Sequence, residues 1–394
     1  MKIQIVLRHL SIFFVLSSMT PNLMAQGPGD PLYEVYFASI SEDQRIRIVE
    51  DLVKKPEDQG NFLNLILRDA VDKRLDQGSS RDVDTRRRMV RLLIRTLAKI
   101  KHLDSVPVIY QVFQESIDAP TRGEAAYALG FLKQTQFTLP LALDLDKINN
   151  SLSRTQEEEA RAYHLVLALE AMGDPLAFVP LFLASQGWYS SGSRIRAKAK
   201  SAYLSLPQDL SESFILAIRQ LPTIKHKYLA LEALRDLKTN EEKTVEGALA
   251  GLDEALTLTP HHSNDITTLS QMRLVSLGML QRQDHNSPQT VIFIQKVIDK
   301  AENLREVQLG IQALAANTSE ESARFLNELL NRYNDRQKLN TNSSVDLGTV
   351  RFLFTAMARL KSNLTRPSLN DVQYSQYSTA LKLEAQNILS TLKD

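Results

Sequence analysis

The sequence predicts an all-α fold, a right-handed α-solenoid (superhelix) of stacked antiparallel helix pairs. Three observations carry this. Glycine is scarce, 14 of 394 residues, roughly half the usual frequency, and the chain is rich in Leu and Ala, which favours helix over a turn-rich β fold. Glu159 to Ser185, EARAYHLVLALEAMGDPLAFVPLFLAS, reads as helix, sharp turn, helix. That hairpin cannot bury both its faces alone, and the chain supplies similar neighbours along most of its length.

In the hairpin, Leu165, Ala168, Leu169 and Met172 recur at three- and four-residue steps and share one helical face. Gly173 can take the left-handed conformation that ends a helix. Asp174 suits the next N-cap, with Pro175 in the first position, where its missing N–H costs nothing. Leu176, Phe178, Val179, Leu181 and Phe182 make the second helix apolar.

Taken in order, residues 1–25 have the form of a secretory signal peptide: Lys2 and Arg8, the short apolar run Leu10 to Leu16, then a Pro-containing segment ending at Ala25. The apolar run is shorter than the roughly 20 residues of a membrane span, although an uncleaved anchor is the alternative. Residues 26–80 read as an N-terminal helical cap. In it Asp30-Pro31 opens a helix, Ser41 with Gln44 forms a capping box for a second that ends near Lys55, and Asn61 to Leu75 is a third. Gln77 to Asp84 is a polar break. Residues 81–394 read as a solenoid of about nine helical repeats. Its anchors are Leu97, Leu129, Leu169, Tyr203, Leu234, Leu277, Leu314, Met357 and Leu389, spaced from roughly 31 to 43 residues apart. Second helices lie between them at Val106–Ser116, Leu210–Gln220, Val245–Leu258, Gln289–Ala301 and Ser322–Tyr333. Thr121 with Glu124 has the capping-box form ahead of RGEAAYALGFL, and Leu258–Thr268, Gln281–Ser287 and Asn334–Asp346 read as longer connections.

Ala168-Leu169 with Met172-Gly173-Asp174-Pro175 and Ala177, and a second copy in Ala126, Ala128, Leu129, Gly130 and Leu132, resemble HEAT-like repeats. The likeness is to the short Ala/Leu-rich bacterial kind also seen in phycobilin lyases, and it covers about residues 85–392. Tetratricopeptide repeats fit less well, because their constant length and Trp/Gly/Tyr/Pro pattern are missing. The resemblance implies a binding scaffold rather than a chemistry. A chromophore lyase follows only by that analogy.

The bulk composition narrows function. With 47 basic and 46 acidic residues the formal net charge is +1, which argues against bulk nucleic-acid binding. No cysteine is present, so disulfides, thiolate metal sites and thiol nucleophiles are excluded. An export signal without cysteine points to a bacterial envelope protein, periplasmic or alternatively secreted or anchored by an uncleaved segment. The Asn-x-Ser/Thr triplets at Asn149, Asn317, Asn342 and Asn363 are then chance matches. No serine-hydrolase elbow, zinc-protease, P-loop or dinucleotide motif occurs. The expectation is a protein with no catalytic residues, no cofactor and no metal site, which is not integral to the membrane once the signal is removed.

Three clusters remain. His261-His262 with Asp265 can be read as metal ligands or as an exposed polar loop. Arg88, Arg91, Arg95, Lys99 and His102 share one helical face opposite Met89, Leu92, Leu93, Leu97 and Ile100. This basic stripe is either a solvated face salt-bridged to a neighbour or an anion-binding strip for an acidic partner, lipid head group or cell-wall polymer. Gln186 to Ser193 sets the lone tryptophan, Trp188, beside Tyr189. That pair reads as a recognition loop able to stack on envelope glycan sugars, or as a cover for the hairpin's end. The function expected is a noncatalytic exported scaffold or adaptor holding another protein of the cell envelope, with a glycan or cell-wall-binding module using Trp188-Tyr189 as the alternative.

Overall fold

The computed structural model describes residues 37, 39–72, 75–237, 239–301 and 303–392. The signal segment 1–25 and the helix opened by Asp30-Pro31 lie outside these residues. The described residues form 19 α-helices and no β-strand, so the fold is all-α. The chain divides into two compact units, the first ending at Pro207 and the second starting at Gln208.

The first unit holds α1 (Glu42–Leu52), α2 (Gly60–Asp72), α3 (Ser80–Lys99), α4 (Val106–Glu115), α5 (Ala119–Phe131), α6 (Thr138–Asn149), α7 (Gln156–Met172), α8 (Phe178–Gln186) and α9 (Ile195–Leu204). Here α1, α3, α5, α7 and α9 pack side by side in one row. On the other side α2 lies beside α4 and α6 beside α8, and each of these packs on the next helix of the first row. The second unit holds α10 (Leu210–Gln220), α11 (Ile224–Asp236), α12 (Glu241–Thr257), α13 (Ser263–Gln281), α14 (Pro288–Lys300), α15 (Leu304–Ala316), α16 (Glu320–Lys338), α17 (Ser344–Leu360), α18 (Arg366–Asp371) and α19 (Thr379–Thr391). Its odd-numbered helices from α11 to α19 form one row and its even-numbered helices the other. Both units thus repeat one helix pair.

All nine anchors fall on odd-numbered helices, α3 to α19. Leu97, Leu129, Leu169, Leu277, Leu314 and Met357 are fully buried, Tyr203 and Leu234 nearly so, and Leu389 is half-buried. Each such side chain contributes about 1.5–3 kcal/mol on leaving water.

One turn recurs in register four times. Four residues after the anchor the chain is left-handed, at Lys101, Lys133, Gly173 and Lys361, with φ of 56°, 53°, 66° and 51°. A short 3₁₀ turn follows each time, at Leu103–Ser105, Thr135–Phe137, Pro175–Ala177 and Asn363–Thr365, before the next α-helix begins. The left-handed residue lets the chain reverse by satisfying the last helical carbonyls. The helix after Asp174 therefore opens as a 3₁₀ turn, which Asp174 caps through the N–H of Leu176.

Some local readings shift. Ser41 and Gln44 do form a capping box, but α1 ends at Leu52. The helix α5 is capped by Asp118 instead of Thr121. Asp118 accepts the Thr121 N–H at 2.9 Å, and Thr121 lies buried within the first turn. The earlier Asx residue, followed by Pro120 in the first turn, outcompetes the Thr because carboxylates cap as well and start the helix sooner. The helix α3 starts at Ser80, inside the stretch read as a break, and α13 and α16 extend into two of the presumed connections.

Buried carboxylates tie neighbouring helices. Glu306 of α15, fully buried, takes Arg273 of α13 at 2.9 and 3.0 Å, together with Ser270 and Asn303. Asp144 of α6 takes Arg122 of α5 and Arg161 of α7 on one oxygen, at 3.1 and 2.9 Å. Desolvation lowers the Arg122 pKa, against the pull of Asp144 and with the push of Arg161.

Candidate functional site

The basic stripe is built on α3 because its apolar face, Met89, Val90, Leu93, Ile94 and Leu97, is buried and fixes the opposite face outward. The structure then divides the stripe in two. Three cations of α3 belong to the fold. Arg86 pairs with Glu42 at 3.0 Å, and Arg87 with Asp76 at 2.8 Å. Arg91 binds Asp118 at 2.9 Å and the Thr121 hydroxyl at 3.0 Å, and its side chain is only 25% exposed. Arg91 is thereby a tie between α3 and the cap of α5, not a free anion ligand.

The other cations face solvent. Arg88 is 67% exposed and only 3.8 Å from Glu50. Arg95 is 63% exposed and donates from Nη2 to Glu124 at 2.6 Å, while Glu124 itself is buried. That hydrogen bond raises the Arg95 pKa, against the effect of partial desolvation, so the guanidinium stays charged. Lys99 is exposed and, among the described residues, has no ion-pair partner. His102 lies apart from these, at the turn after α3, with Nε2 3.0 Å from Asn61 Oδ1.

Arg95 and Lys99 form one bank of a groove between α3 and α5, a cavity of about 250 Å³. Ala98 and Ala128 are its floor, and Tyr127 and Phe131 its other bank, 38% and 46% exposed with ring centres 6.5 Å apart. Tyr127 also meets His164 of α7 edge-on at 6.2 Å. The His164 Nδ1 is buried and has no hydrogen-bond partner among the described residues. Sequence reasoning named Arg95 and Lys99 but missed Tyr127 and Phe131. Their signal was present: two aromatics four residues apart on a helix whose remaining positions are mostly Ala, Gly and Leu.

The loop candidates meet a different fate. Tyr189 is 1% exposed and its hydroxyl donates to Asn149 Oδ1 at 2.6 Å. Burial, with Glu158 and Glu159 nearby, pushes that hydroxyl's pKa up. Tyr189 therefore offers no ring face to a sugar, which corrects the recognition-loop reading. Trp188 is half-buried, packs against Tyr189 with centres 4.7 Å apart, and donates Nε1 to the Ile148 carbonyl at 3.0 Å. Ser190 N–H and hydroxyl both donate to Glu159 at 2.7 Å and pin the loop to α7. The pair covers the hairpin's end.

His261 and His262 are exposed, and their backbone N–H groups both donate to Asp265 at 3.0 Å. That carboxylate serves the start of α13. Among the described residues no three His, Asp or Glu side chains are placed to hold a metal ion. Of the four Asn-x-Ser/Thr triplets, Asn317 is fully buried, with its amide bonded to Ser287 and Ser319, and Asn149 is held by Tyr189 and Pro180. Among the described residues no helix is long and apolar enough to cross a membrane.

No family model matches the sequence, and no curated protein does. Among solved structures, the crystal structure of an engineered protein, a structural-genomics target, aligns over 90% of this chain and 97% of its own, with 14% identity and a TM-score of 0.30. A likeness that slight carries no argument about this chain.

Proposed function

We propose that the chain is a noncatalytic, exported scaffold that holds another protein of the cell envelope against its helical surface, and that its repeated pairs build a right-handed, HEAT-like α-solenoid. The observation that carries the reading is the α3–α5 groove: two cations, one of them without an ion-pair partner among the described residues, set across an Ala floor from two exposed aromatic rings. Apolar floor with a charged rim is the composition of a protein-binding patch. The repeated helix pairs supply a rigid support for it. Arg95 and Lys99 serve as fixed positive charges here, a role suited to recognition. Export rests on the form of residues 1–25, with periplasmic residence as its consequence.

The test is chemical crosslinking in cells followed by mass spectrometry of the purified chain and of the fractions that contain it. The expected result is a mature protein beginning at Gln26, recovered from the envelope and joined to a recurrent protein partner through the first unit. Recovery with cell-wall material alone, or turnover of an envelope substrate by the purified chain, would remove the scaffold reading.

A further inference from the structure

The groove is specific enough to describe what it takes. We propose that it binds an acidic linear segment of the partner, in which one aliphatic or aromatic side chain is flanked by Asp or Glu. This deepens the scaffold reading and rests on it.

The size sets the first limit. About 250 Å³ is below the roughly 300–1,000 Å³ of small-molecule sites, so the groove suits one anchoring side chain and not a cofactor-sized ligand. The lining sets the second. Ala98 and Ala128 leave the floor open, and Tyr127 and Phe131 give the anchor flat apolar surface to cover. A buried anchor in such a pocket is where interface energy concentrates.

Charge sets the third. Among the described residues Arg95 and Lys99 face a single lining carboxylate, Glu124, which leaves one positive charge in excess. Glu124 is buried beneath Arg95, so the outward donors of a 63% exposed guanidinium still face solvent. Arg88, further toward the start of α3, is paired with Glu50 at 3.8 Å and adds no free charge to this edge. A ligand that meets both banks must therefore carry an apolar group and a carboxylate within a residue or two of each other. Acidic peptide does this. A phosphate head group answers the cations but leaves the floor exposed to water, and a neutral sugar leaves the cations unanswered.

The measurement is fluorescence anisotropy of labelled ten-residue peptides titrated with the full-length purified protein. The first probe carries a central Leu among Asp and Glu, the second replaces Leu by Ser, and the third replaces the acids by Lys. The first is expected to bind at least about tenfold more tightly than either other, and more weakly as salt rises. Lys99→Glu, and separately the pair Tyr127→Ala with Phe131→Ala, should each weaken it by about tenfold. Thermal melting of Lys99→Glu should match the parent, since Lys99 is exposed and makes no ion pair among the described residues; Lys99→Gln, expected to lose less than Lys99→Glu, gives a second reading at the same position. Equal binding of the Leu and Ser probes, unchanged binding by Lys99→Glu, or tighter binding to phosphatidylglycerol vesicles than to the first probe overturns the assignment. If no probe binds while crosslinking in cells still captures a protein partner, the groove assignment fails alone. If both fail, the scaffold reading fails with it.

Discussion

The α3–α5 groove and the Gln186–Ser193 loop both gather aromatic side chains with polar neighbours in the first unit, yet the groove's rings stay open to solvent while the loop's fold inward. In the groove the rings are held by a helix whose buried face is elsewhere, so Tyr127 and Phe131 stay 38% and 46% exposed. In the loop the backbone folds back, and the Tyr189 hydroxyl and the Trp188 N–H each find an acceptor at the end of α6, Asn149 Oδ1 and the Ile148 carbonyl. A polar handle on an aromatic ring draws it inward wherever a buried acceptor lies within reach. Rings fixed on a helix by the packing of its far side have no such freedom. Availability for binding is thus decided by the backbone that carries the ring, more than by the ring's chemistry.

The comparison breaks most visibly through Tyr189. Tyr189→Ala should cost about 3–5 kcal/mol, as truncation of a buried aromatic does, and lower the melting temperature. Tyr189→Phe should cost about 1 kcal/mol, the price of one hydrogen bond. The matching truncations in the groove, Tyr127→Ala and Phe131→Ala, should cost clearly less, because those rings are exposed. Equal losses in urea titrations of the two sets would erase the distinction.

Charge sharpens it next. Glu124→Gln removes the lining carboxylate that opposes Arg95 and Lys99 and should tighten binding of an acidic peptide by about threefold to tenfold. Arg91→Gln should act the other way round, destabilising the chain while leaving peptide affinity within about twofold, because Arg91 holds Asp118 and Thr121.

A smaller effect concerns the turns. Lys133 sits in left-handed backbone, φ 53°, two residues after Phe131. Lys133→Gly should stabilise the first unit by about 1 kcal/mol or less, the relief of strain exceeding the entropy that Gly adds to the unfolded chain. Denaturant midpoints read this directly.

The loop should also respond to acid. Glu159 is desolvated, which works to raise its pKa, but hydrogen bonds from Ser193 and Ser190 outweigh this and hold it below the ordinary 4.5. Its folded pKa is depressed, so its contribution is present above the unfolded value and is lost as pH falls through the folded one. Trp188 emission should therefore be flat from neutrality down to about pH 4.5 and change below it; a transition near pH 6 would point to a different group.

Much of the architecture is readable in the residues. The spacing of Leu97, Leu129 and Leu169 and their successors follows from stacking, since each pair must bury the same face of the next. The turns were half legible. Gly173 announces a left-handed cap, whereas Lys101, Lys133 and Lys361 occupy the equivalent place with a residue that gives no such signal. Thr121 with Glu124 satisfies the capping-box pattern but sits one turn too late, because Asp118 comes first. For the site, periodicity on α3 places Arg95 and Lys99 outward correctly. It does not reveal that Arg91 has Asp118 opposite it, nor that Tyr127 and Phe131 complete a groove. Those facts depend on which helix lies beside α3, and one helix's pattern does not contain its neighbour's.

The most direct measurement places a photocrosslinking amino acid at Tyr127 in one strain and at Trp188 in another, then identifies what each chain captures in living cells. The groove reading predicts a recurrent protein partner at position 127, lost when Lys99→Glu is added, and little or nothing at position 188. Capture of a partner or glycan at 188 with none at 127 would contradict it.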